Sequence, residues 1–206
     1  MYSREDLIKK IVDEKGLQAI PNLIELLDDE DYEVRELARD ALSVMAPEGK
    51  EYLLHEFKRR FNLNLQDDTV LLYLAELLSD LNCHEIVENL KMMFNKFSDE
   101  RAFPLILENL LKITKDESYL DILKTYIDSD EGEIEEISVM AITELPSKKT
   151  LDILLEKYYK TTNNSLKVLI LDSITKILSK NFDLVPYLQE LDPEISEKLE
   201  WHLKRS

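Results

Sequence analysis

The chain has 206 residues, a formal charge of −17, 44% hydrophobic residues, and only 3 glycines and 6 prolines. That hydrophobic share is globular and excludes wholesale disorder, and the length suits one domain or one continuous repeat array that can bury a core without metals or disulfides. The negative field repels nucleic-acid phosphate and anionic lipid, so neither is expected as a partner; it suits a basic protein partner or serves solubility.

Cys83 is the single cysteine, so no intrachain disulfide can form. Few Gly and Pro turns favour helices joined by short links over strands. The first residues, including Ser3, Arg4, Glu5 and Asp6, are polar, unlike a signal peptide, which needs a basic start and an apolar run. Apolar stretches such as 168–171 fall far short of the ~20 residues of a membrane span. The cytoplasm is the expected compartment.

In chain order, Ser3 to Asp6 open an N-terminal helix that Gly16 can end. Residues 17–27 then read as a helix, and the acids Asp28, Asp29, Glu30 and Asp31 break it. A second helix follows with Val34, Leu37, Ala38, Ala41, Leu42 and Met45 on one face, the stripe of a helix packed on one side. The stripe recurs from Val70, Phe103, Ile134 and Leu166, so the leading residues step by 36, 33, 31 and 32. A first helix precedes each of the later stripes, at 50–61, 85–97, 118–127 and 150–159. Asp31, Ser98 or Asp99, and Asn164 or Ser165 are expected N-caps. Pro47 and Pro146 are expected to open links into the following repeat, and Pro104 sits in a first turn, where a missing N–H costs little. Asp192 and Pro193 start a last helix containing Trp201.

Two amphipathic helices per near-constant period predict an all-α fold. It is an α-α superhelix, a right-handed solenoid of about five antiparallel helix pairs in a single domain. Its repeats cover roughly 17–46, 47–82, 83–115, 116–146 and 147–180, and its caps cover 1–16 and 181–206.

The first repeat carries Ala19, Ile20, Pro21, Leu23, Ile24, Leu26 and Leu27, then Asp29, Asp31, Val34, Arg35, Ala38, Ala41 and Leu42. This resembles the HEAT-repeat family, in particular the HEAT-like repeats of the phycobilisome-lyase type. The resemblance implies a structural role for Asp31 and Arg35 as rungs of a hydrogen-bonded ladder between neighbouring repeats. At the position of Arg35 the later repeats have Leu71, Pro104, Glu135 and Lys167, so they keep the apolar frame without the motif. The family holds scaffolds, adaptors, chromophore lyases and a di-iron hydroxylase, and fold alone does not choose among them.

Several constellations invite a chemical reading. The metal-dependent hydroxylases of that family hold two irons with His-Glu pairs from equivalent positions. Here His55-Glu56 lies inside a first helix and His84-Glu85 at the start of another, so the two pairs are not equivalent; His202 stands alone. The run 128–136 holds six acids and no base. Its glycine comes one position too early for a calcium loop, and Val139 stands where that loop needs a glutamate. It reads either as helix-start chemistry or as an acidic docking patch around Glu133, Glu135 and Glu136. Residues 116–144 hold ten acids against Lys124 alone, which focuses the charge on the fourth repeat. No Gly-rich phosphate loop or nucleophile elbow occurs, so no catalytic, cofactor or metal residues are assigned.

The second helices are also expected to present a ridge. Two and five positions after each leading residue stand Leu72 and Ala75, Leu105 and Glu108, Glu136 and Val139, and Val168 and Leu171; the first repeat has Glu36 and Arg39. This ridge either fills a wider packing arc or receives a partner helix or extended peptide. The expected function is a non-enzymatic scaffold binding a protein, basic or presenting a helix or extended peptide, through Leu72, Leu105, Glu133, Glu135, Glu136, Val139, Val168 and Leu171. The alternative is a chromophore lyase or metal-dependent hydroxylase; nucleic-acid binding ranks third, against the charge.

Overall fold

A computed structural model describes residues 3–129 and 131–203, with the backbone alone for 200–203. Among the described residues every regular element is helical and no strand occurs. No helix among them is long and apolar enough to cross a membrane. Contacts divide the chain into two compact units, Met1–Ala102 and Phe103–Ser206.

The first unit starts with α1, Arg4–Lys15, closed by a capping box: Asp6 N–H donates to Ser3 Oγ at 3.1 Å, and Ser3 N–H donates to Asp6 Oδ2 at 3.2 Å. Gly16, at φ 53°, ends the helix in a conformation that favours glycine, as expected. A 3-10 turn, Gly16–Ala19, leads into α2, Ile20–Leu26. Asp31 then caps α3, Tyr32–Leu63, by accepting from Glu33 N–H at 2.9 Å.

The link expected at Pro47 does not form: α3 runs unbroken for 32 residues with Pro47 inside it. Pro47 deprives the Ser43 carbonyl of its helical partner, but both residues are exposed, so the freed carbonyl faces water. Met45, Ala46, Gly49 and Leu53 are buried along the opposite side. Their packing carries the helix through a proline that alone costs about 3 kcal/mol. At Gly49 an added Cβ would lie 2.5 Å from Ile20 Cδ1, so the Ile20 side chain would have to shift to admit one.

Helix α4, Thr69–Asp80, packs on α3 and buries Val70, Leu74, Leu77 and Leu78. The helix expected at 85–97 is shorter: α5 covers Val87–Met93 after a 3-10 turn at His84–Ile86. Lys96 explains the early end. It is buried, and its ammonium donates to the Phe61 carbonyl at 3.0 Å and to Asn64 Oδ1 at 2.7 Å, over the Phe61 ring. The chain leaves the helix to deliver a cation to the carbonyl end of α3. Asp67 fastens the same loop, accepting from Ser98 N–H and Ser98 Oγ, each at 2.7 Å.

The second unit holds α6, Ala102–Thr114, of which Ala102 closes the first unit; α7, Ser118–Ile127; α8, Gly132–Ala141; α9, Lys148–Lys160; α10, Asn164–Lys180; α11, Val185–Leu191; and α12, Pro193–Leu203. Helices adjacent in sequence pair, α7 with α8 and α9 with α10. The next layer forms as α7 packs on α9 and α8 on α10, and the last pair, α11 with α12, closes on α10. Ser138 on α8 and Ser173 on α10 are both buried; the Ser138 hydroxyl is satisfied by the Ile134 carbonyl at 2.7 Å. Asn163, one residue before the expected cap, closes α10 by accepting from Ser165 and Leu166 N–H. Asp192 caps α12 through Ile195 N–H at 3.0 Å, with Pro193 in the first position, as expected.

Candidate functional site

Within each unit, side-chain bonds between successive helix pairs recur at separations of 27 to 37 residues. These bonds are the polar counterpart of the apolar period in the sequence. In the first unit Arg39 grips Glu76 with its Nε and Nη2 atoms and touches Asp40, which also meets Arg4 at 2.8 Å. The hydrogen bond to Glu76 holds the Arg39 pKa above its ordinary value. The Arg39 side of the first unit's second-helix segment is thus closed by its own charges, while Val44 on the same segment stays exposed.

The resemblance implied a ladder between neighbouring repeats; the bonds that Asp31 and Arg35 make here lie within one turn. Arg35 Nη1 donates to the Asp29 carbonyl at 2.7 Å and the Glu30 carbonyl at 3.1 Å, and its guanidinium lies over the Tyr32 ring. These bonds clamp the turn between α2 and α3 from within.

In each His-Glu pair the glutamate is engaged by a neighbouring base. His55 and His84 are both exposed; Glu56 is bound by Arg59 and Arg60, and Glu85 meets Lys58 at 3.3 Å. The Arg59 hydrogen bonds push the Glu56 pKa down. His202 falls where side chains are outside the described residues, and among those described no group of three or more His, Cys, Asp or Glu is placed to hold a metal.

The acid-rich stretch changes character once folded, because α9 and α10 bring it bases that the linear run does not show. Glu135 is nearly enclosed and paired with Lys157. Asp121 meets Lys149 at 2.7 Å. Glu144 collects Lys180 at 3.1 Å and Lys176 at 3.2 Å, and its carbonyl accepts from Lys115. Burial would raise the Glu144 pKa, but the hydrogen bond from Lys180 and the nearby Lys112 and Lys176 outweigh it and hold the pKa below the ordinary carboxylate value. Lys112 and Lys180 sit in the last turns of α6 and α10, where the helix dipole favours cations. Glu133 and Glu136 remain on the surface; Asp130, in the same run, lies outside the described residues.

The expected ridge divides in the same way. Leu72, on α4 of the first unit, is half-buried. In the second unit Leu105 and Leu171 are half-buried, while Val168 is 59% exposed. Val139 is fully buried, so it reaches no partner; the residue turned outward there is Met140, 48% exposed. At 3.6 residues per turn, the side of α8 opposite the buried Ile134, Ser138 and Ala141 passes through Glu136 and Met140. Counting six positions from the leading residue instead of five would have found Met140, and with it Asp172 on α10. The exposed apolar residues are therefore Met140 on α8 and Val168 on α10, two helices that pack together, and Glu133, Glu136 and Asp172 are exposed on the same helices.

Comparison with family models, with curated proteins and with solved structures finds no match for this chain.

Proposed function

We propose that this chain is a non-enzymatic, cytoplasmic interaction module that holds a basic, helix-presenting protein on the α8–α10 face of its second unit. In this reading its helix pairs are turns of a right-handed α-α superhelix of the HEAT-like kind. The recurrence of inter-pair bonds at 27 to 37 residues supports the repeat frame. One observation carries the functional part: Met140 and Val168 stay exposed at 48% and 59% on packed helices, with acids beside them. Apolar side chains with acids beside them suit a partner helix with an apolar seam and Lys or Arg flanks.

The test is fluorescence anisotropy with a labelled helical peptide of Leu and Lys arranged to give an apolar seam, beside a scrambled peptide of the same composition. The account expects the seam peptide to bind, and Met140→Glu or the pair Glu133→Lys and Glu136→Lys to weaken it about tenfold or more. Equal binding of the scrambled peptide, or indifference to both variants, contradicts it. Stoichiometric iron by elemental analysis, or a bound pigment in the absorbance spectrum, would favour a hydroxylase or a chromophore lyase instead.

A further inference from the structure

The N-terminal helix of the first unit is unusual among its neighbours. Leu7, Ile8, Ile11 and Val12 make an apolar strip on α1, yet no residue of α1 is buried. Leu7 and its neighbours are left half-open although α1 packs on α3. Between the two helices lies a cavity of about 320 Å3, floored by Ile8, Val12 and Val44 and bordered by Glu5, Lys9 and Asp13. Val44 is 58% exposed on α3. One turn further along α3, on the same side, stands the exposed Glu48. Ile8 and Val12 stand one helical turn apart along its floor.

We propose that this α1–α3 groove is a second docking site, for an amphipathic helix of a partner protein that carries aliphatic residues one turn apart and Lys or Arg beside them. The choice of occupant follows from charge. Glu5, Asp13 and Glu48 outweigh Lys9 around the apolar floor, within a chain of net charge −17. A second copy of the chain would bring the same negative field against this one. An anionic lipid surface meets the same repulsion. A basic helix gains on both counts, covering Ile8, Val12 and Val44 while its cations face the acids. The proposal rests on the interaction-module reading but names a site in the other unit.

The experiment is a titration of the full-length, 15N-labelled protein with the Leu and Lys seam peptide, followed by amide chemical shifts. The expected result is saturable shifts at Ile8, Val12 and Val44. Val44→Glu should weaken binding there about tenfold, and Glu48→Lys, which alters charge without touching the packing, should weaken it by a smaller factor. Circular dichroism of both variants should match the parent. Shifts confined to α8 and α10 would overturn this site and leave the interaction-module reading standing; no binding at either face would overturn both. Self-association of the chain that Val44→Glu abolishes would also overturn the choice of occupant.

Discussion

The two units share a helix-pair frame but fasten it with different chemistry. The first unit joins its elements through the forks of Arg4 and Arg39 beside Lys58 and Lys96, whereas among the described residues the second uses lysines, Lys115, Lys124, Lys149, Lys157, Lys176 and Lys180, and the hydroxyls of Tyr159 and Tyr187. Guanidinium forks fix geometry, as Arg39 does on Glu76; ammonium groups are point charges on flexible stems. On the second-helix side the contrast decides what is left for a partner. Arg4, Asp40, Arg39 and Glu76 satisfy one another in the first unit, while Met140 and Val168 with Glu136 remain open in the second. Helices can thus pack alike while one face pairs its own charges and another leaves apolar side chains exposed.

The largest effect expected comes from the boundary of that open surface. Val139→Asp places a carboxylate at a fully buried position and should cost about 4 kcal/mol or more, unfolding the second unit; Met140→Asp, one residue on, should stay within about 0.5 kcal/mol. Urea melts of the two variants measure the difference, and similar midpoints would erase the distinction between buried and outward sides of α8. Next in size is Gly49→Ala. The helix propensity gain of about 1 kcal/mol is opposed by displacing the buried Ile20, so a net loss of about 1–2 kcal/mol is expected.

Glu144→Gln should cost about 1–2 kcal/mol near neutral pH by releasing Lys176 and Lys180. Because the folded pKa of Glu144 is lowered, its contribution is present above the ordinary value of 4.5 and is lost as the pH falls through the folded value. Melts at pH 7 and pH 3 should therefore show the gap between parent and variant shrinking in acid; a constant gap would remove the lysine cluster as its source. Smallest is Arg39→Lys, expected to lose about 0.5–1 kcal/mol as the fork on Glu76 becomes a single contact, against no measurable change for Lys176→Arg.

Much of the frame was legible in the sequence. Gly16, Asp31 and the Asp192–Pro193 start are local signals whose geometry is fixed within a few residues, and the 118–127 helix was placed to the residue. Local chemistry makes Pro47 a break; burial along the far side of α3 overrides it. The end of α5 at Met93 was illegible for a related reason, since the groups that draw Lys96 away, Phe61 and Asn64, lie more than thirty residues earlier. The acidic run misled in one respect only. Its bases arrive from α9 and α10, so Glu135 is paired while Glu133 and Glu136 stay on the surface. The α1–α3 groove left no mark in the periodicity, because α1 carries an ordinary apolar stripe and its incomplete cover appears only on packing.

The most direct test of the α8–α10 surface uses the five methionines, labelled at their methyl groups with 13C. Met140 and Met92 are both exposed, at 48% and 58%, while Met45 and Met93 are buried. On addition of the Leu and Lys seam peptide, the account predicts a saturable shift of the Met140 methyl with Met92 and Met93 unmoved. A peptide that binds while the Met140 methyl stays in place would contradict it.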